Sequence, residues 1–256
     1  MQKKIGAICV ILAGAMALSI SMSGCANMEA FVLYTKVQKQ QEKINSLEVE
    51  CLRDLTVVYD AETYHRTDTA VIDTLYLSGG TQEKESGVIE DNNGTYVYTA
   101  YMKDDINYVI MNGSKFSHAT GSRNEEDAQA AIEKELGSAA LRACSLTGLE
   151  NGMQCITADL DLDAIGSRIN VLAGNFIDIY DLDASRMTFT RYNIELIVDG
   201  DCYLDSYSTY IAADVHLNSG GTATFILRET MNVNARNSFQ SIHYPADLET
   251  AYPRSF

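Results

Sequence analysis

Ser46-Leu47-Glu48-Val49-Glu50-Cys51-Leu52-Arg53-Asp54-Leu55-Thr56-Val57-Val58-Tyr59 is the stretch at which the period of this chain changes from 3.6 to 2. Leu47, Val49, Cys51, Leu55, Val57 and Tyr59 fall on one side of an extended strand, with Glu48, Glu50, Asp54 and Thr56 opposite. One-sided burial of this kind belongs to an antiparallel sheet that keeps one face wet. Immediately before it, Ala30, Leu33, Tyr34, Val37 and Ile44 recur at helical spacing, while Lys36, Lys39, Glu42 and Lys43 lie elsewhere around the wheel. The reading is an amphipathic helix over 30–45 whose narrow apolar stripe packs onto the sheet.

Strand signals continue downstream. Thr69 to Leu77 reads as a strand closed by Gly79-Gly80, and Glu83-Lys84-Glu85-Ser86-Gly87 reads as an exposed loop. Asn93-Gly94 and Asn112-Gly113, with Asp104-Asp105 between them, separate short alternating runs. Asn-Gly is a strong hairpin signal because both residues tolerate positive φ, so residues 93–118 read as a three-stranded meander. Asn124, followed by Glu125, Glu126 and Asp127, opens a predicted helix running to about Leu141, its stripe formed by Ala128, Ala131, Ile132, Leu136 and Ala139. A strand at Met153–Ala158 and a third helix around Leu162–Leu172 follow. The last third reads as strands at Thr188–Val198, Tyr203–Leu217, Thr222–Ala235 and briefly Ser241–Tyr244, ended by Pro245. No Pro/Gly/Ser-rich linker divides the chain, which argues for one domain over 30–256.

Composition excludes some functions. There are 19 basic residues against 35 acidic, a formal net charge of −16. Nucleic acid is normally met by clustered Lys and Arg, so this chain is not expected to bind it. The motifs of common enzymes are missing: there is no Gly-x-Ser-x-Gly elbow, no GxxxxGK[ST] and no GxGxxG after a strand. Asp159, Asp161 and Asp163 superficially suggest a calcium loop, but Ala164 and Asn170 stand where such a loop needs Gly and Glu. Asp178, Asp181 and Asp183 form a second acidic patch, read as a solvated loop. His65, His118, His216 and His243 are scattered. The tyrosines of 96–108 suit a strand face better than a stacking site. The expectation is a protein without catalytic residues, metal or cofactor.

The first residues carry the address. Lys3 and Lys4 precede an uncharged, mostly apolar run from Ile5 to Ile20, and small residues then lead to Met22-Ser23-Gly24-Cys25. This is the layout of a secretory signal. The last four residues resemble the lipobox of bacterial lipoproteins. The resemblance implies a signal peptide over 1–24, a lipid on the Cys25 thiol (a diacylglyceryl group with palmitate-like chains), and a short tether over 25–29. The mature chain would sit on the outer face of the cell membrane. Loss of 1–24 removes two lysines and no acids, leaving 17 basic residues against 35 acidic, a net charge of −18. An anionic membrane surface repels such a chain, so the lipid must anchor it; each buried methylene contributes about 0.8 kcal/mol, and two acyl chains suffice. An ordinary secreted or signal-anchored protein in which Cys25 is incidental is the plainer alternative.

With Cys9 in the leader and Cys25 acylated, Cys51, Cys144, Cys155 and Cys202 remain, an even number in an extracytoplasmic chain. Cys144 and Cys155 flank a turn-like Leu149-Glu150-Asn151-Gly152, which favours that bridge, with Cys51–Cys202 as the second. Four buried free thiols are the equal alternative.

The order of elements also resembles a family. A helix over Phe31–Asn45 leads through Ser46-Leu47-Glu48-Val49 into a strand. A Tyr-rich meander ends in Tyr108-Val109-Ile110-Met111-Asn112-Gly113-Ser114-Lys115, and the late strands end in Ile242-His243-Tyr244-Pro245. This is similar to Gram-positive lipoproteins of the Lol-type carrier and LppX/LprG kind. The resemblance implies an α+β fold, a strongly curved antiparallel sheet wrapped as a half-barrel around a few helices, with an acyl chain or lipid held in a cavity between them. The runner-up is a non-enzymatic envelope lipoprotein with a filled core, showing acidic loops to a protein partner.

Overall fold

Alternation of the kind seen in residues 46–59 builds almost the whole molecule. The computed structural model describes residues 28–78, 80–103, 106–119, 141–165, 186–217, 220–250 and 252–253. Within these, two antiparallel meanders lie side by side. The first runs through β1 (Ser46–Tyr59), β2 (Glu62–Leu77), β3 (Gly80–Asp91), β4 (Gly94–Lys103), β5 (Ile106–Met111) and β6 (Ser114–Ala119). The second runs through β7 (Leu141–Gly148), β8 (Gln154–Leu160), β9 (Met187–Val198), β10 (Leu204–His216) and β11 (Thr222–Arg236). They join where β11 pairs with β1, giving one twelve-stranded sheet in the order β12-β6-β5-β4-β3-β2-β1-β11-β10-β9-β8-β7. Every pairing is antiparallel except that of β12 (Tyr252–Pro253), which lies parallel to β6 with Tyr252 beside Phe116. The sheet is open, with β12 and β7 at its edges.

One face carries the main core. Helix α1 (Met28–Gln41) lays Ala30, Leu33, Tyr34 and Val37 into a cluster with Leu47, Val49, Cys51 and Leu55 of β1. Ile72 of β2, Ile156 of β8, Leu196 of β9, Ile211 of β10 and Leu227 of β11 complete it. The same helix touches β7 at the far edge. One helix can meet β2 and β7 together only if the strands between curl around it, so the sheet is curved and α1 lies on its concave face. Tyr34, Val37, Ile44, Ile72, Ile156, Leu196 and Val198 are fully enclosed there. Ser46 ties β1 to the segment after β11: the Ser46 carbonyl accepts from the Asn237 N–H, and the Asn237 side chain accepts from the Asn45 N–H at 2.6 Å.

The convex face carries a second, smaller buried cluster. After β11 the chain runs across the outer side of β4–β6, where Tyr101, Tyr108 and Leu248 are buried with Tyr244 packed against them. The Tyr101 and Tyr244 ring centroids are 5.8 Å apart, and the Tyr244 hydroxyl donates to the Met102 carbonyl at 3.0 Å. Lys103 pairs with Glu249 at 2.9 Å, and Lys115 pairs with Asp247.

Several expectations need correction. Glu83 to Gly87 is not a loop but the middle of β3. Leu141 opens β7 rather than closing a helix. Ser241–Tyr244 is irregular. The third helix shows one described turn, α2 (Leu162–Ile165), and the rest of 162–172 lies outside the described residues, as do the predicted helix over 124–140 and the Asp178/Asp181/Asp183 patch. The sheet is therefore not wrapped around a few helices among the described residues; there α1 packs on its concave face, with Leu162 of the single turn α2 against the same cluster.

Neither predicted bridge, Cys144–Cys155 or Cys51–Cys202, is formed in the structure. The register explains the first. Cys144 lies opposite Ala158 and Cys155 opposite Thr147, which puts the two on opposite faces of the β7–β8 hairpin. The second fails on distance. Cys51 is level with Met231 and, through it, with Tyr207, whereas Cys202 lies five residues before Tyr207, roughly 16 Å along the strand direction.

Candidate functional site

The concave face is divided by a polar seam. Arg53 breaks the apolar side of β1, directly opposite Glu229 on β11 and Asp68 on β2. Its Nε donates to Glu229 Oε2 at 2.8 Å, and its Nη1 reaches over β2 to Glu85 Oε1 at 3.0 Å. The Tyr98 hydroxyl donates to the same Glu85 oxygen at 2.6 Å. Beside them Arg66 forks Asp68, with Nε to Oδ1 at 2.7 Å and Nη2 to Oδ2 at 2.9 Å. Arg53, Asp68 and Glu229 are buried.

Small residues make room for this reach. Cys51, Ala70, Gly87 and Tyr98 form one rung across β1 to β4. A Cβ on Gly87 would stand 2.5 Å from the Thr69 carbonyl oxygen, 2.9 Å from Ala70 Cβ and 3.0 Å from the Tyr98 ring. Glycine is needed there because the Tyr98 ring lies across it, carrying its hydroxyl to Glu85.

Electrostatics hold Arg53 charged and the neighbouring thiol and phenol neutral. Burial works against the Arg53 charge, but Cys51, Glu85 and Glu229 outweigh it and hold the guanidinium protonated. Burial pushes the Cys51 thiol far above the usual range, Arg53 opposing and Glu229, Glu85 and Asp68 adding to the rise, so it stays an inert thiol. Burial, and then the Glu85 carboxylate, raise the Tyr98 phenol in the same way. Beyond Glu229, Tyr192 and Tyr207 share a hydrogen bond in the core and are likewise held neutral, chiefly by burial.

On one side of the seam the face is filled by α1. On the other, β3 to β6 present Ile89, Ala100, Met102, Val109, Met111 and Phe116 to the same side, all only partly buried. Val109 stands opposite both Ala100 and Phe116, and Met111 opposite Tyr98. The result is an apolar strip bordered by a buried ion-pair network.

The sequence-predicted candidates are not brought together. Cys25 lies outside the described residues. Cys51 is sealed beneath the seam. Cys144 faces α1's cluster, Cys155 faces the outer side near Glu195, and Cys202 sits in the β9–β10 turn. His65 lies near Asp54 on the outside, His216 beside Thr222, and His243 is exposed; nothing of the His118 side chain is described. The tyrosine run splits by parity, Tyr98 inward and Tyr101 and Tyr108 outward into the second cluster. Among the described residues no group of three His, Cys, Asp or Glu could hold a metal, and no helix is long and apolar enough to cross a membrane.

What the fold and seam define is a curved, open antiparallel-sheet protein with a divided concave face. The chain matches no established family, and it matches none of the curated proteins. Among solved structures it aligns with the ywiB protein from Bacillus subtilis at 9% identity and a TM-score of 0.24, over 77% of this chain and 99% of that one. A DUF1329 family protein from Desulfovibrio piger aligns at 9% identity and 0.25, over 90% and 95%. A beta-barrel-like protein of domain of unknown function DUF1849 from Brucella abortus aligns at 9% and 0.17, over 75% and 100%. Likenesses this slight carry no functional inference.

Proposed function

We propose that this is a lipid-anchored, extracytoplasmic binding protein that holds an apolar ligand, an acyl chain or lipid, against the concave face of β3–β6. It is not an enzyme. The observation that carries the reading is the partly buried strip of Ile89, Ala100, Met102, Val109, Met111 and Phe116, set apart from the filled core by the Arg53 seam. The lipobox-like Met22-Ser23-Gly24-Cys25 supports anchoring through Cys25 on the outer face of the membrane. The test is organic extraction and native mass spectrometry of the purified full chain. The reading expects copurified lipid beyond the covalent anchor. A second reading, an envelope interaction lipoprotein with a filled core, draws on the solid packing under α1; it expects a chain free of copurified lipid.

A further inference from the structure

On the outer face, far from the apolar strip in register, β7 to β11 form a groove of about 600 Å³ with polar side chains along its wall. Its centre is Tyr210 on β10. Arg228, its cross-strand neighbour on β11, places its guanidinium carbon 5.5 Å from the Tyr210 ring centroid. Arg191 on β9 approaches the same ring to 5.0 Å. Neither guanidinium has a carboxylate within ion-pair distance among the described residues. Two like charges are thus gathered on one ring, about two strand spacings or roughly 10 Å apart at their backbones. In a chain with a net charge of −16 this pairs two cations in one groove, whose other charged side chains are Asp159 and Glu195.

The rest of the groove supplies the opposite chemistry. Asn193 Oδ1 is buried there with no hydrogen-bond partner among the described residues, an acceptor awaiting a donor. Glu195 adds a second acceptor, and the Ser208 and Thr230 hydroxyls, 3.2 Å apart, offer both roles. Guanidinium forks held on an aromatic ring match the planar or tetrahedral oxygens of a carboxylate or phosphate. The amide and carboxylate acceptors and the hydroxyls beside them match alcohol groups. We propose that this groove binds a small saccharide bearing a carboxylate or phosphate, the anion between Arg191 and Arg228 and the sugar hydroxyls on Asn193, Glu195, Ser208 and Thr230. The site is independent of the apolar strip.

The experiment is calorimetric titration of the full chain with glucuronate, glucose 6-phosphate, glucose, acetate and inorganic phosphate. The proposal expects one or both charged sugars to bind at least ten-fold tighter than glucose and than the simple anion. Arg228→Gln and Arg191→Gln should each weaken that binding ten-fold or more, and Asn193→Leu should weaken it with the anion kept. Circular dichroism checks that each variant folds, and Thr222→Ala, at the start of β11 and outside the groove, serves as the unaffected control. Which charged sugar binds separates a carboxylate from a phosphate ligand. Failure of both to bind, equal binding of simple anions, or binding unchanged in Arg228→Gln would each overturn the proposal.

Discussion

Arg53 occupies a position in β1 where Leu47, Val49, Cys51, Leu55 and Val57 call for an apolar side chain, and it is tolerated because Glu229 and Glu85 accept from it. Replacing one partner of a buried pair leaves the others desolvated and uncompensated, which costs about 3–5 kcal/mol. Arg53→Ala is therefore expected to lose that much stability in urea titrations, whereas Arg53→Met combined with Glu85→Gln and Glu229→Gln should recover most of it. An Arg53→Ala variant as stable as the parent would show that the seam is solvated. This site was partly legible. A lone arginine in the apolar stripe of 46–59, and a lone glutamate in the stripe of Phe225, Leu227, Met231 and Val233, are opposite charges in matching places. Their pairing was not legible, because no alternation pattern states which strand lies beside which.

At the scale of elements, the clearest misreading was β3. Over 83–87 its inward positions are Glu83, Glu85 and Gly87, so the residues that face inward there carry charge or no side chain at all. A pattern rule that looks for apolar alternation sees a loop. The Asn112-Gly113 turn, by contrast, was read correctly, with φ 47 and 84 as its chemistry dictates, whereas the hairpin at Asn93-Gly94 turns on Asn92 and Asn93 and Gly94 opens β4.

The C-terminal strap, residues 242–250, gives an element-scale prediction. Hydrogen bonding and then the charge of Lys115 hold the Asp247 carboxyl below the usual range, and Lys103 does the same for Glu249. A carboxyl depressed in the fold stabilises above its unfolded pKa, near 4, and that contribution is lost as pH falls through the lower folded value. Both carboxylates are exposed, so salt also screens them. Hydrogen exchange of the strap, corrected for intrinsic rates, should therefore quicken below pH 4 and in high salt, while Tyr101 and Tyr108 stay packed. Exchange indifferent to both would assign the strap's docking to Leu248 and Tyr244 alone.

For the molecule as a whole, the meander of 93–118, the late strands and the helix before Ser46 were legible because each obeys a local period or turn rule. Closure was not. The pairing of β1 with β11 joins residues some 180 apart in sequence, Leu47 with Arg236 among them, and it decides that two meanders become one curved sheet. The same closure separates the concave face into a filled half under α1 and an apolar half over β3–β6.

That apolar half is the surface on which the proposed function stands, and photolabelling tests it directly. The full chain, loaded with a photoactivatable palmitate analogue and illuminated, should carry the label on peptides from 80–103 and 106–119, above all at Met102, Val109, Met111 and Phe116. Label confined to the outer face, or no label above that of a denatured control, would contradict the account.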